Sequence, residues 1–350
     1  MPILAAVATN SRKSVHALLK AQADAEPSTS PLHDLCKQYD QSQNEQRGAG
    51  RKFNYLRMKS PFVNLVVAGD DRIVAFAITS TKLVRISACK AEEKEFALRS
   101  AVERGHEPTV QLLLKMGVNV NAAGRGGRTM LHVAINRRQE GLIRLLLENG
   151  SNIEMEDEFG LKPFHKAVQH GTEAIVQLLL DKVVNIEAVT NDGETALHLA
   201  AKSGDTVMVE LLLDRGANIE ATDRNGGNAL HMATKRGDIA AVQLLLDKGA
   251  NTEAGNYFDV TALHLAAACG DVVTVQLLLD KGANIKAASS YGMTALHWAT
   301  DRGNVATVQL LLDKGANVEA VTTDGRTALD FARAKGLTDV ESLLTFPGGV

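Results

Sequence analysis

Thr195-Ala196-Leu197-His198-Leu199-Ala200 decides the fold, because its pattern returns every 33 residues without insertion or deletion between residues 99 and 330. His132, His165, His198, His231, His264 and His297 fall on the count, with Arg99 and Asp330 at its two ends, which makes eight units. A repeat of this length is too small to bury its own apolar face and does so against its neighbours, so the chain reads as an all-α solenoid.

Each unit spells two helices and a turn. Leu197, Ala200 and Ala201 lie at i, i+3 and i+4, and Val209, Leu212 and Leu213 repeat that spacing, so each set shares one helix face. Thr195 is placed to cap the first helix and Asp205 the second, since a short side-chain oxygen accepts from the unpaired N–H groups of a first turn. Gly216, Gly249, Gly282 and Gly315 stop the second helix by supplying a left-handed residue. The Asn-Ile/Val-Glu-Ala stretch that follows is expected to be extended, and the chain then turns at Asn191-Asp192-Gly193. Three replacements stand out and predict strain or altered turns: Val183 for the terminating glycine, Arg138 for the inter-helix glycine and Asp259 for the turn glycine.

These residues resemble the ankyrin repeat. Thr195-Ala196-Leu197-His198-Leu199-Ala200 and Gly216-Ala217-Asn218-Ile219-Glu220-Ala221 match its two signatures, and the register covers residues 91–346. The Leu244-Leu245-Leu246-Asp247-Lys248-Gly249-Ala250-Asn251 string resembles long arrays of fungal proteins, which often follow nucleotide-binding or effector domains. The resemblance implies a noncatalytic protein-binding module whose partner sits on the concave side, against the projecting turns and the exposed ends of the first helices. It also implies that the six periodic histidines are hydrogen-bonding members of the frame. Two other functions stay open: a transcription co-regulator or signalling inhibitor that masks its partner, and a regulatory array serving a cryptic catalytic domain in residues 1–90.

Residues 1–90 are a different text. Residues 3–35 look like a degenerate unit, 37–60 like a polar linker, and 62–87 are rich in Val and Ile. That last segment is either two or three strands or repeats eroded beyond recognition. Gly48-Ala49-Gly50-Arg51-Lys52 lacks the spacing and the Ser/Thr of a phosphate loop, and no nucleophile–base pair or metal spacing appears. At the other end Asp330, Glu341 and the tail at 347–350 suggest a polar cap, with Arg99 and Glu103 as partial counterparts.

With 38 basic against 41 acidic residues there is no global field to gather nucleic acid or anionic membrane. Cys36, Cys89 and Cys269 are odd in number and widely spaced, which suits a reducing compartment, and no segment is long and apolar enough for a bilayer. The expectation is a cytoplasmic protein, nuclear as the alternative, with no cofactor and no metal; histidines on successive units, about 10 Å apart, are too distant to share an ion.

Candidate binding residues sit where the units differ. The turn pairs read Asn191-Asp192, Arg224-Asn225, Tyr257-Phe258 and Ser290-Tyr291, and in a chain with 4% aromatics Tyr257, Phe258 and Tyr291 mark a hot spot. The competing reading has Phe258 fold onto the neighbouring turn to compensate for Asp259. Phe159 stands on an equivalent turn, and Trp298 takes the slot of Leu199 and Leu265 and reads as core. The first-helix ends carry Arg137, Lys202, Lys235, Arg236, Arg302 and Lys335 against Asp301, a basic stripe that, with Arg224, would steer an acidic protein surface. Asp247-Lys248, Asp280-Lys281 and Asp313-Lys314 read as a solvated face near helix C-termini.

Overall fold

The computed structural model describes residues 91–182 and 184–345, so the expectations for residues 1–90, for Val183 and for the tail at 347–350 lie outside the described residues. The described residues hold sixteen α-helices and no strand, only isolated bridges at Ala288–Thr294 and Val321–Thr327. The fold is therefore all-α. It divides into two compact units, residues 1–158 and 159–350.

In the first unit, α1 (Ala91–Arg104) and α2 (Glu107–Lys115) are followed by α3 (Met130–Asn136) and α4 (Glu140–Glu148). Ala97, Leu98 and Ala101 of α1 are buried with Leu131, Ala134 and Ile135 of α3. Arg99, in the histidine slot, donates to the Arg128 carbonyl at 3.0 Å, a bond that reaches from α1 to the N-terminal side of α3.

The second unit repeats the device six times. Its first helices are α5 (Pro163–His170), α7 (Ala196–Ser203), α9 (Ala229–Arg236), α11 (Ala262–Cys269), α13 (Ala295–Asp301) and α15 (Ala328–Lys335). Each is followed by its partner: α6 (Glu173–Leu180), α8 (Thr206–Asp214), α10 (Ile239–Asp247), α12 (Val272–Asp280), α14 (Val305–Asp313) and α16 (Thr338–Thr345). First helices pack on first helices and, from α8 onward, second on second. Leu197, Ala200 and Ala201 of α7 and Val209 and Leu212 of α8 are buried, and their equivalents Leu230, Ala233, Val242 and Leu245 follow suit one period on. A fully buried leucine contributes roughly 2 kcal/mol, so a unit's worth of such contacts outweighs its short helices' weak intrinsic stability.

The caps are where the spacing put them. Asp205, Asp238 and Asp271 accept from the N–H three residues on, each at 3.0 Å. Asn304 does otherwise: its side-chain amide donates to Ala267 at 2.9 Å and Ala268 at 3.2 Å, closing the C-terminal turn of α11 in the preceding repeat.

Several expectations are corrected. The Asn-Ile-Glu-Ala stretch is a turn, not an extended segment: Asn218 Oδ1 accepts the Glu220 N–H at 3.0 Å. Glu187, Glu220 and Glu253 then accept the backbone N–H of Asn218, Asn251 and Asn284 at 2.8, 2.7 and 2.8 Å, binding each turn to the next. The Asp-Lys pairs lie on a solvated face, as expected, and also bridge repeats: Lys248 reaches Asp214 at 2.7 Å and Lys281 reaches Asp247 at 2.6 Å. Those contacts hold the Asp247 carboxyl below, and the Lys248 ammonium above, their ordinary values. Arg138 and Asp259 keep the glycine conformation, at φ 55° and 53°, so the turns are retained at a strain of about 1 kcal/mol each. Trp298 is half-buried rather than core: the same slot buries the smaller Leu199, whereas the larger indole is only partly covered, with its Nε1 buried.

Thr234 and Thr300 are buried with hydroxyls that have no partner, in the slot that Val168, Ala201 and Ala267 fill elsewhere. Each forfeits a hydroxyl's hydration for nothing. Thr234→Val and Thr300→Val are therefore expected to raise stability by about 1 kcal/mol each in urea unfolding of the full chain, since valine keeps the shape and removes the orphan. A loss of stability in both would refute the burial argument.

Candidate binding surface

The six motif histidines are buried, and His198, His264 and His297 share one arrangement on a threonine, whereas Nδ1 of His231 lies 2.6 Å from Asn228 Oδ1 and that of His165 takes the Lys162 N–H. His198 shows it. Nδ1 lies 3.2 Å from the Thr195 N–H and 2.8 Å from the Thr195 hydroxyl, and Nε2 lies 3.0 Å from the Gly227 carbonyl of the next repeat. A carbonyl only accepts, so Nε2 carries the proton, and Nδ1 is the bare acceptor that the N–H requires. The ring is neutral and fastens its own helix start to the following turn. His231 and His297 make the same reach, 29 residues on, to the carbonyls of Val260 and Arg326, whereas His165 and His264 reach the carbonyls of Ala188 and Ala287, 23 residues on. Burial pushes His231, His264 and His297 below the ordinary histidine value, with the carbonyl bonds opposing it. Asp330 keeps only the accepting half: its Oδ2 takes both the Thr327 N–H and hydroxyl at 2.8 Å, and those bonds hold its carboxyl low.

The turn tips form a second framework that the sequence did not announce. The N–H of Arg224, Tyr257, Ser290 and Thr323 donates to the carbonyl of Asp192, Asn225, Phe258 and Tyr291 respectively, at 2.9 to 3.0 Å. Within one tip, Asn256 Oδ1 accepts from Phe258 at 2.9 Å and Val260 at 3.1 Å. The candidate aromatics thus stand on a hydrogen-bonded rail. Tyr257, Phe258 and Tyr291 are 70%, 50% and 56% exposed. Phe258 and Tyr291 stack with centroids 6.1 Å apart and planes inclined by 19°. Tyr257 lies against Gly226 of the preceding tip, where any Cβ would collide with its ring. Phe258 does lean on the neighbouring turn, yet half of it still faces water, so packing and availability coexist. Asp259 spends its carboxylate on the Ser290 hydroxyl at 2.7 Å.

Four of the candidate cations meet in one groove of about 650 Å³: Lys202, Arg224, Lys235 and Arg236 line it with Asp192, Glu194, Asp223, Asn225 and Met232. The stripe is not uniformly basic there, because the turns contribute the acids Asp192, Glu194 and Asp223. Lys202 is bridged to Glu194 at 2.7 Å, and Lys335 to Asp301 at 2.7 Å. Arg236 donates to the Lys202 carbonyl at 3.2 Å and lies 3.9 Å from Asp238. Arg224, Lys235 and Arg302 are exposed, and none of the ion pairs among the described residues includes them. Arg302 stands two repeats from Lys235, outside that groove. Phe159, also exposed, passes its carbonyl to the Asn191 N–H at 3.1 Å and begins the rail in this unit.

Among the described residues no cluster of His, Cys, Asp or Glu is arranged to hold a metal, and no helix is long and apolar enough to cross a membrane. A family model for ankyrin repeats, three copies to the model, matches residues 65–157, 139–223, 208–289 and 284–348, beginning ahead of α1. No curated protein sequence matches the chain.

Proposed function

Because the chain belongs to the ankyrin-repeat family, whose repeats are generally protein–protein interaction modules, we propose that it is a noncatalytic binding protein that holds a protein partner on the groove side of the second unit. Tyr257, Phe258 and Tyr291 supply the anchors, and Arg224, Lys235 and Arg302 set the electrostatic preference around them, with Lys202 and Arg236 contributing less because Glu194 and Asp238 lie against them. The observation that carries this reading is the exposed Phe258–Tyr291 stack on a hydrogen-bonded rail. Rigid aromatic rings at fixed positions lose little entropy on binding, and large aromatic anchors dominate interface energies. The partner surface is acidic in this proposal, and the site of action is the cytoplasm, where the exposed thiol of Cys269 stays free.

Tyr257→Ala with Phe258→Ala is the test. The backbone bonds of the rail survive both changes, so the urea midpoint should barely move, while partner affinity falls by about 2 kcal/mol or more. Capture from native extract with the full-length chain and the double variant, read by mass spectrometry, checks it. A partner recovered equally by both would remove the aromatic site.

A further inference from the structure

Besides its acids Asp192, Glu194 and Asp223, the groove at the His198 and His231 repeats is lined by Lys202 and by five positions of the second repeat: the two turn-tip residues, Met232 on the first helix, and Lys235 and Arg236 at that helix's end. Adding the 33-residue period transfers those positions to the next repeat, where they are Tyr257, Phe258, Leu265, Ala268 and Cys269. None is charged. In the repeat after that they become Ser290, Tyr291, Trp298, Asp301 and Arg302. The register therefore assigns this side an apolar sector made of the stacked Phe258 and Tyr291 together with the half-buried Leu265 and Trp298.

Cations bracket that sector. On one side stand Arg224 and Lys235, on the other Arg302, all exposed and without an ion-pair partner among the described residues. The nearby acids are already engaged: Asp259 by Ser290, Asp301 by Lys335 and Asp324 by Arg326. Asp192 lies a repeat farther from the sector than Arg224.

Resting on the binding reading above, we propose that this sector takes an extended peptide segment of the partner, with an apolar or aromatic side chain at its centre and a carboxylate on each flank. Packed helices lie 8–10 Å apart and an extended chain advances about 3.3 Å per residue, so the segment crosses one repeat in about three residues. The carboxylates then fall about three residues before and after the anchor. Single-stranded nucleic acid also stacks on aromatic rings beside cations, but a phosphate chain carries a charge at every nucleotide, and the unpaired cations bracketing the sector are only Arg224, Lys235 and Arg302, which suit a segment with two carboxylates.

Panning a phage-displayed library of random dodecapeptides on the full-length chain tests the proposal. The expected consensus is an aromatic or large aliphatic residue with Asp or Glu about three positions to either side. Binding of a synthetic consensus peptide is read from the fluorescence of Trp298, the chain's single tryptophan. Arg302→Glu should weaken that peptide by about fivefold or more, and a peptide with lysine on one flank should regain the loss. Enriched sequences without flanking acids, no enrichment, an Arg302→Glu variant that binds as well as wild type, or an oligouridylate binding as tightly as the peptide would each overturn it. The two readings separate cleanly. A cellular partner lost with the Tyr257/Phe258 double variant but unmatched by any acid-flanked peptide leaves the binding function standing and removes this inference; a consensus peptide that binds the double variant undiminished removes the aromatic site itself.

Discussion

Lowering the pH from 7 to 5 is expected to destabilise the fold, well before its carboxylates titrate. Burial holds His231, His264 and His297 below the histidine reference of 6.5, so in the unfolded chain these rings take up protons first. Where the unfolded state binds more protons, stability rises with pH; their contribution is complete above 6.5 and is lost as pH falls below it. One proton per ring sets a ceiling of about 1.4 kcal/mol per pH unit each, or about 4 kcal/mol per unit for the three together. The geometry supplies the reason. A protonated Nδ1 would point its hydrogen at the N–H of Thr261 or Thr294 and lose the acceptor that each repeat depends on. The low carboxyls of Asp247, Asp324 and Asp330 act in a different window, since their contribution is present above the reference value of 3.8 and is lost only as pH falls below it. Urea midpoints should therefore be level from pH 8 to about 6.5 and fall between 6.5 and 5. A level profile down to pH 4.5 would mean that the rings protonate in place and the neutral-tautomer argument is wrong.

The repeat frame was legible because it is written in local rules at constant spacing. Thr195 and Asp205 cap, Gly204 and Gly216 turn left-handed, and the apolar residues keep to one face, each decided within a few residues. What escaped is written between repeats. Glu220 accepts from Asn251 across 31 residues, Lys248 bridges to Asp214 across 34, and the tip rail links Asn225 to Tyr257. In the sequence each of these residues looks like ordinary surface. Only the superposition of one period on the next brings them within reach. The binding side followed the same division: Tyr257, Phe258 and Tyr291 were conspicuous by residue type, whereas their stacking and the neutralisation of Lys202 by Glu194 depend on neighbouring repeats. Trp298 is half-buried although Leu199, in the same slot of the register, is buried, so side-chain size and not register decides how far that position is covered.

His264→Ala should be the most damaging single change at the frame, at about 3–5 kcal/mol, because it orphans groups on both sides of a repeat boundary. His264 is fully buried, accepts from the Thr261 N–H at 3.0 Å, bonds its hydroxyl at 2.9 Å and reaches the Ala287 carbonyl at 3.0 Å. Alanine leaves the N–H at the start of α11 and that carbonyl unpaired, and opens a ring-sized void under the next turn. His264→Asn separates the two halves of the device. Asp330 demonstrates that a short side-chain oxygen at this position can take both the threonine N–H and hydroxyl at 2.8 Å, so asparagine should preserve the cap and lose only the reach to Ala287. Its expected cost is about half that of alanine. Because each repeat contacts only its neighbours, the damage should also be local: amide exchange should quicken in α11 and in the turn at residues 284–294, and little in α5 or α6. Equal losses for alanine and asparagine would make the link to the following repeat the energetic core of the histidine, and a loss under 1 kcal/mol for alanine would show that the stack closes over the gap without it.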